Sequence, residues 1–257
     1  MGNPDEVEAT LGSTCGQRLN AQLAAAPDLV FHLIERFDIE CEALRNGTLH
    51  LSHSGRGDRV LIKRAHQLQT RGAPVELKDQ TTTARLTGTN RYRSSLFDPR
   101  AGTIQPLSYA RGLAHATQSL EARIYTGSAV TGLSNSGDGE WTINTTNGSV
   151  IADQVVIATN AYSGHLHNPL KQSFIPLCFF QYATRPLAPE LLEKILPQKH
   201  GCWDTRQVMS SIRLDNSGRL IIGSIGNVTD TGNKFLQSWA SHQLSRLFPD
   251  CFKQSEI

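Results

Sequence analysis

The sequence has no G-x-G-x-x-G turn, no C-x-x-C pair, no G-x-S-x-G elbow and no apolar run approaching the roughly 20 residues of a membrane helix. Each absence closes off a class of function. Without the elbow, a serine nucleophile has no support. Cys15, Cys41, Cys178, Cys202 and Cys251 are odd in number and widely spaced, which speaks against a zinc site or disulfide framework and predicts reduced, mostly buried thiols. Charge of one sign is also scarce. A net charge of +2 gives little long-range field to attract nucleic acid or an acidic membrane, and neither is expected as a partner. The densest basic group, Arg91, Arg93 and Arg100, lacks the aromatic neighbours of a nucleic-acid surface and reads as a solvated face. Residues 1–8 are polar and acidic, unlike a secretory leader, so a cytoplasmic location is expected and the sequons at Asn46, Asn144, Asn147 and Asn227 carry no weight. His165 and His167 could share one face of a strand, but no third ligand lies near; no metal is expected. Asp204 and Asp215 read as turn residues.

What remains is a globular chain of 257 residues, 39% hydrophobic and 19% charged, long enough for one large domain or two modest ones. Helical spacing runs over 21–38, with Pro27-Asp28 as a restart point, and over 59–71, ended by Gly72 and Pro74. Between them 47–51 alternates like a short strand. The Thr-, Arg- and Asn-rich segment 78–98 reads as a surface loop. A strand-helix-strand pattern follows: a helix over 107–119, short strands at 122–125, 129–133 and 140–145, and a hairpin through Asn147-Gly148. The continuous apolar run at 154–158 predicts a strand buried on both faces of a parallel sheet. Antiparallel signals then return at 174–184, 208–214 and 219–224, before an amphipathic helix over 234–248 through Phe235, Leu236, Trp239, Leu244 and Leu247. The class is α+β.

Two segments could carry chemistry. In Val155-Val-Ile-Ala-Thr-Asn-Ala-Tyr162 a buried strand runs into small and polar residues. Ligands bind at that carboxyl edge in open α/β sheets. Thr159 and Asn160 can donate to a phosphate or ribose oxygen, while Ala158 and Ala161 permit close approach. The same residues also suit an ordinary turn. The segment 98–113 is a crossover into a helix, with Pro106 fixing its start and Ser108 as N-cap, and by itself implies nothing more.

Together with two others, these segments carry a resemblance. The stretches GTIQPLSYARGLA (102–114), VVIATNAY (155–162), IPLCFFQYATRPL (175–187) and RLDNSGRLIIGSIG (213–226) resemble, in order and spacing, FAD-dependent oxidoreductases of the D-amino-acid-oxidase superfamily, in the branch that includes γ-glutamylputrescine oxidoreductase. The resemblance spans nearly the whole chain. It implies FAD as cofactor, a small-molecule amine or amino acid as substrate, and hydride transfer to flavin followed by imine hydrolysis. It implies part of an FAD-binding parallel-sheet (Rossmann-like) domain plus a large antiparallel-sheet substrate domain with flanking helices. The segments would be a helical piece (1–40), substrate-domain parts (41–106 and 169–257) and a partial FAD-binding domain (107–168). By the same resemblance Val130 contacts adenine through its backbone, and Ala158, Thr159 and Asn160 lie against the cofactor. Ser211 and Arg213, two apart on one strand, look toward the flavin. Arg213 could pair with a substrate carboxylate or be structural, and Gln181 could face substrate or satisfy the sheet.

Such enzymes hold the pyrophosphate on a G-x-G-x-x-G turn and continue into a Gly-rich segment beside the isoalloxazine ring. Neither occurs here. A fragment of doubtful isolated activity is therefore expected, completed by another chain or an oligomer; the alternative is a non-catalytic, degenerate or truncated domain with at most an interaction role. A parallel strand at 154–158 without neighbours should leave the isolated polypeptide marginally stable or aggregation-prone. Thermal unfolding should then be broad and accompanied by aggregation, and a soluble, cooperatively melting monomer would refute it.

Overall fold

The computed structural model describes residues 3–135, 137, 139–163, 172–227 and 230–252. They form two compact units: Met1–Ala116 with Phe179–Ile257, and Thr117–Cys178.

The larger unit opens with helices α1 (Pro4–Leu11) and α2 (Ser13–Arg36). α2 passes through Pro27, the residue that the sequence marked as a restart, without a break. Strand β1 (Thr48–Ser52), helix α3 (Gly55–Thr70), strand β2 (Glu76–Lys78), helix α4 (Gln80–Thr87), strand β3 (Ser94–Asp98) and helix α5 (Pro106–Ser119) follow, α5 crossing into the smaller unit. After the smaller unit come β7 (Phe179–Pro186), α6 (Pro189–Leu192), β8 (Gly201–Asp204), β9 (Ser211–Leu214), β10 (Arg219–Ile225) and α7 (Asp230–Leu247). The seven strands form one sheet in the order β2-β3-β1-β8-β9-β10-β7. Every pair is antiparallel except β1 with β8.

Period-two alternation gives this sheet two different faces. Leu49, Leu51, Ile212, Leu214, Leu220 and Ile222 point to one side and pack with Ala240, Leu244 and Leu247 of α7 in the main core. The spacing of Leu236, Ala240, Leu244 and Leu247 is the helical stripe expected from sequence, but Phe235, expected on it, is 71% exposed. On the opposite face α3 covers the β3 end, where Leu61 and Ala65 pack on Leu96 and Val75. Ser54 caps α3 by accepting the Gly57 N–H at 3.2 Å. Gly57 must be bare, because a Cβ there would sit 2.4 Å from Thr205 Oγ1 and 2.7 Å from Ser52 Oγ.

The smaller unit holds β4 (Val130–Asn135), β5 (Trp141–Thr145) and β6 (Gly148–Ala152) as an antiparallel meander, then a single 3-10 turn, Asn160–Tyr162. Among the described residues, 154–158 join no ladder, and Val156 is 88% exposed. The parallel strand expected there is not formed. Such a strand needs partners on both edges and cover on both faces, and the described residues supply neither. The strand expected at 122–125 is likewise irregular, and β7 begins five residues later than the run at 174 suggested.

The segment 78–98 corrects the sequence reading in the other direction. Its polar residues form α4 and β3, not a surface loop, because their hydroxyls are satisfied internally. Asp79 accepts the Thr82 N–H at 2.7 Å, Thr83 Oγ1 meets Ser95 Oγ at 2.9 Å, and Thr87 Oγ1 donates to the Thr83 carbonyl at 2.8 Å. Thr83 and Thr87 are fully buried. The cysteines are all free, but Cys15 and Cys178 are exposed, against the expectation of burial. No helix among the described residues is long and apolar enough to cross a membrane.

This division of burial is directly testable. Leu220→Ala, at a fully buried core position, should cost about 2–5 kcal/mol. Val156→Ala should stay within about 0.5 kcal/mol, although the sequence pattern placed it in a core. Urea denaturation of the two variants checks both; equal losses would contradict the arrangement.

Candidate active-site face of the sheet

The face of the sheet opposite α7 carries the candidate site. Strand register lines up Trp203 on β8 with Ser211 on β9, Ser211 with Gly223 on β10, and Gly223 with Gln181 on β7. One step along, Arg213 stands opposite Ile221. Gln181, Ser211 and Arg213, the three substrate-side residues singled out from sequence, therefore line one cavity of about 240 Å³. Gly223 makes this packing feasible. A Cβ at that point would lie 3.1 Å from both Gln181 Cγ and Ser211 Oγ, and 3.0 Å from the Phe180 carbonyl. The β9–β10 hairpin is set by Asp215, whose carboxylate accepts the Arg219 N–H at 2.9 Å and its Nε at 2.7 Å, with Gly218 at φ +75 closing the turn. Arg213 is half-buried and makes no ion pair among the described residues. A half-desolvated guanidinium with a free fork is suited to a carboxylate.

A second cavity of about 940 Å³ lies on the same face, between it and helices α2 and α3. Thr48, Trp203 and Met209 line both. His50 of β1 stacks on Trp203, with centroids 5.2 Å apart and planes 24° apart. Burial, and then the charge of Arg64, push the His50 imidazole down to about 4, so it is neutral near pH 7. Thr48, His50, Trp203 and Gly223 escaped the sequence reading. The alternation of Thr48 and His50 with Leu49 and Leu51 was the available signal; β8, only four residues long, gave none.

The cofactor candidates occupy the smaller unit. Val130 is half-buried on β4 opposite Thr145, and the ladder is irregular between it and Gly132. Ala158 and Asn160 are exposed. Thr159 Oγ1 is bonded to Ser163 Oγ at 2.8 Å, and Asn160 adopts a left-handed φ of +47 while its carbonyl accepts from Ser163. No strand pairing joins Val130 to 158–160. His165 and His167 lie outside the described residues, among which no group of three or more His, Cys, Asp or Glu side chains is placed to hold a metal. Of the basic residues, Arg93 pairs with Asp58 at 2.7 Å and Arg100 with Asp98 at 2.6 Å.

Residues 7–257 match the family described as FAD dependent oxidoreductase, DAO. The chain belongs to that family. It is 26% identical over 225 residues to "Probable oxidoreductase OrdL" of Haemophilus influenzae, covering 86% of this chain and 52% of that protein. It is also 26% identical over 221 residues to the "Gamma-glutamylputrescine oxidoreductase" of Escherichia coli, covering 85% of this chain and 51% of the relative. The chain thus spans about half the length of the curated relatives it matches. Among solved structures, glycine oxidase from Geobacillus kaustophilus superposes with a TM-score of 0.66 at 21% identity, over 89% of this chain and 61% of that one. L-proline dehydrogenase from P. horikoshii gives 0.69 at 16%, over 87% and 62%. At these identities the likeness concerns the fold. The family is FAD-dependent. The present residues fit such a cofactor only in part: 154–158 leave backbone edges open, but no glycine turn exists to cradle a pyrophosphate.

The lowered pKa of His50 predicts acid-sensitive folding stability. Its folded value of about 4 lies below the ordinary 6.5, so the unfolded chain binds the proton more readily between them. Stability from this group is complete above pH 6.5 and is lost as pH falls toward 4. Chemical denaturation at pH 7, 5 and 4 should show that slope, and His50→Gln should flatten it; an unchanged slope would count against the buried neutral ring.

Proposed function

We propose that this chain forms the substrate-side part of an FAD-dependent oxidoreductase acting on the CH–NH or CH–NH2 group of an amine or amino acid. The reading is supported above all by the convergence of Gln181, Ser211 and the unpaired Arg213 on one cavity of the open sheet face. Arg213 pairs with the substrate carboxylate through its planar fork. Ser211 and Gln181, neighbours across the bare Gly223, hold the polar group beside the reacting carbon. Ile221 and Trp203 shield that carbon from water. FAD, when bound, supplies the hydride acceptor. Val130, Ala158, Thr159 and Asn160 would hold the adenosine side of the cofactor. In this reading 41–106 and 169–257 are the substrate domain, 107–168 belongs to the FAD-binding domain, and 1–40 is a helical addition.

The FAD-loaded protein should be yellow and lose its flavin absorbance on anaerobic addition of an amine or amino-acid substrate. Arg213→Leu should raise KM for carboxylate-bearing substrates by about 10-fold or more, the scale of a lost charge-assisted hydrogen bond. It should leave simple amines unaffected. Equal effects on both would remove Arg213 from the carboxylate role, and protein that takes up no FAD would sink the cofactor half.

A further inference from the structure

The 940 Å³ cavity between α2, α3 and the sheet has features that the reading above does not use. Arg64 and Gln67 of α3 and Arg71, its C-cap, recur at helical spacing and all line it. Arg71 is committed at the mouth to Asp5 and Glu8, each at 2.8 Å. Asp98 is engaged by Arg100, through Nε at 2.9 Å and Nη2 at 2.6 Å. Arg64 makes no ion pair among the described residues; burial lowers its affinity for the proton, and the charge of Asp98 acts in the opposite direction. On the same lining, three buried side chains keep polar atoms without a partner among the described residues: Gln67 (4% exposed) both Nε2 and Oε1, His50 (9%) Nδ1, and Thr48 (7%) Oγ1. Leaving one such group unsatisfied costs about 1–3 kcal/mol, so several on the lining of one cavity with Arg64 need an explanation.

We propose that this cavity is a binding site for an aliphatic carboxylate, held by Arg64 and flanked by Gln67, Thr48 and His50. A planar carboxylate matches the guanidinium fork. The Gln67 amide and the Thr48 hydroxyl supply further donors, and the neutral imidazole adds no competing charge. Asp5, Glu8 and Asp98 already match Arg64, Arg71 and Arg100 in number along this wall, so a monoanion adds less uncompensated charge than a phosphate dianion. Leu23, Ala24, Pro27, Leu68 and Leu96 give part of the remaining wall an apolar surface that suits a hydrocarbon body, beside the polar Gln17, Asn20, His66 and Thr70. The volume falls within the range of about 300–1,000 Å³ usual for small-molecule sites.

The proposal does not depend on the flavin reading, and its test does not use activity. Hexanoate is titrated calorimetrically into the full chain, with hexylamine and inorganic phosphate alongside. Hexanoate should bind, and the other two should bind at least 10-fold more weakly. Arg64→Leu should weaken hexanoate at least 10-fold, Arg64→Lys should fall between, and Arg213→Leu should leave it within 2-fold. Because α3 variants could unfold, the nitrogen resonances of His50 are also followed in the unsubstituted chain and should shift on adding hexanoate. The proposal is overturned by no binding, by preferred binding of hexylamine or phosphate, by hexanoate binding that depends on Arg213 and not on Arg64, or by unmoved His50 resonances at saturation.

Discussion

The parallel ladder between β1 and β8 is the contact on which the rest of the larger unit depends. It pairs Thr48 with Gly201, Leu49 with Cys202, His50 with Trp203 and Leu51 with Asp204. On one side of it lie β3 and β2, on the other β9, β10 and β7. Without this ladder there would be two small antiparallel sheets, each with a raw edge and neither wide enough to bury both Leu49 and Ile222 in one core. The ladder is completed at its end by the Thr205 N–H, which donates to the Leu51 carbonyl at 3.0 Å.

The chemistry of the open face follows from the same seam. Because Thr48 and His50 come from one half and Trp203 from the other, the stacked His50–Trp203 pair straddles it, and the cavities on either side share Thr48 and Trp203 as a common wall. The dry face is committed to α7. Among the described residues of the larger unit, no helix covers the polar face from β8 to β7, and Ser211, Arg213 and Gln181 stay accessible while Ile212 and Leu214 are buried. Open-face and core side chains alternate along the same strands.

Much of this was legible where local signals and long-range structure agree. The helices around 59–71 and 234–248, the hairpin at 208–224 and the pairing of Ser211 with Arg213 on one face all follow from periodicity and turn chemistry. Reading failed where the deciding partner is distant. The run at 154–158 has the composition of a buried strand, yet burial is conferred by neighbouring strands and cannot be read from the run itself. Thr83 and Thr87 look like loop residues because only Ser95 and their own helix backbone show how their hydroxyls are satisfied. His50 and Trp203 come together across a parallel pairing that no local pattern encodes.

The β1–β8 seam also imposes an order on folding. β3 can pair with β1 soon after both leave the ribosome, but β8 follows β1 by about 150 residues, so the exposed edge of β1 must wait until those residues are made. During that interval Leu49 and Leu51 sit on an unfinished sheet margin, open to adventitious pairing with other nascent chains. That margin is closed only once residues 201–204 are available to pair with 48–51.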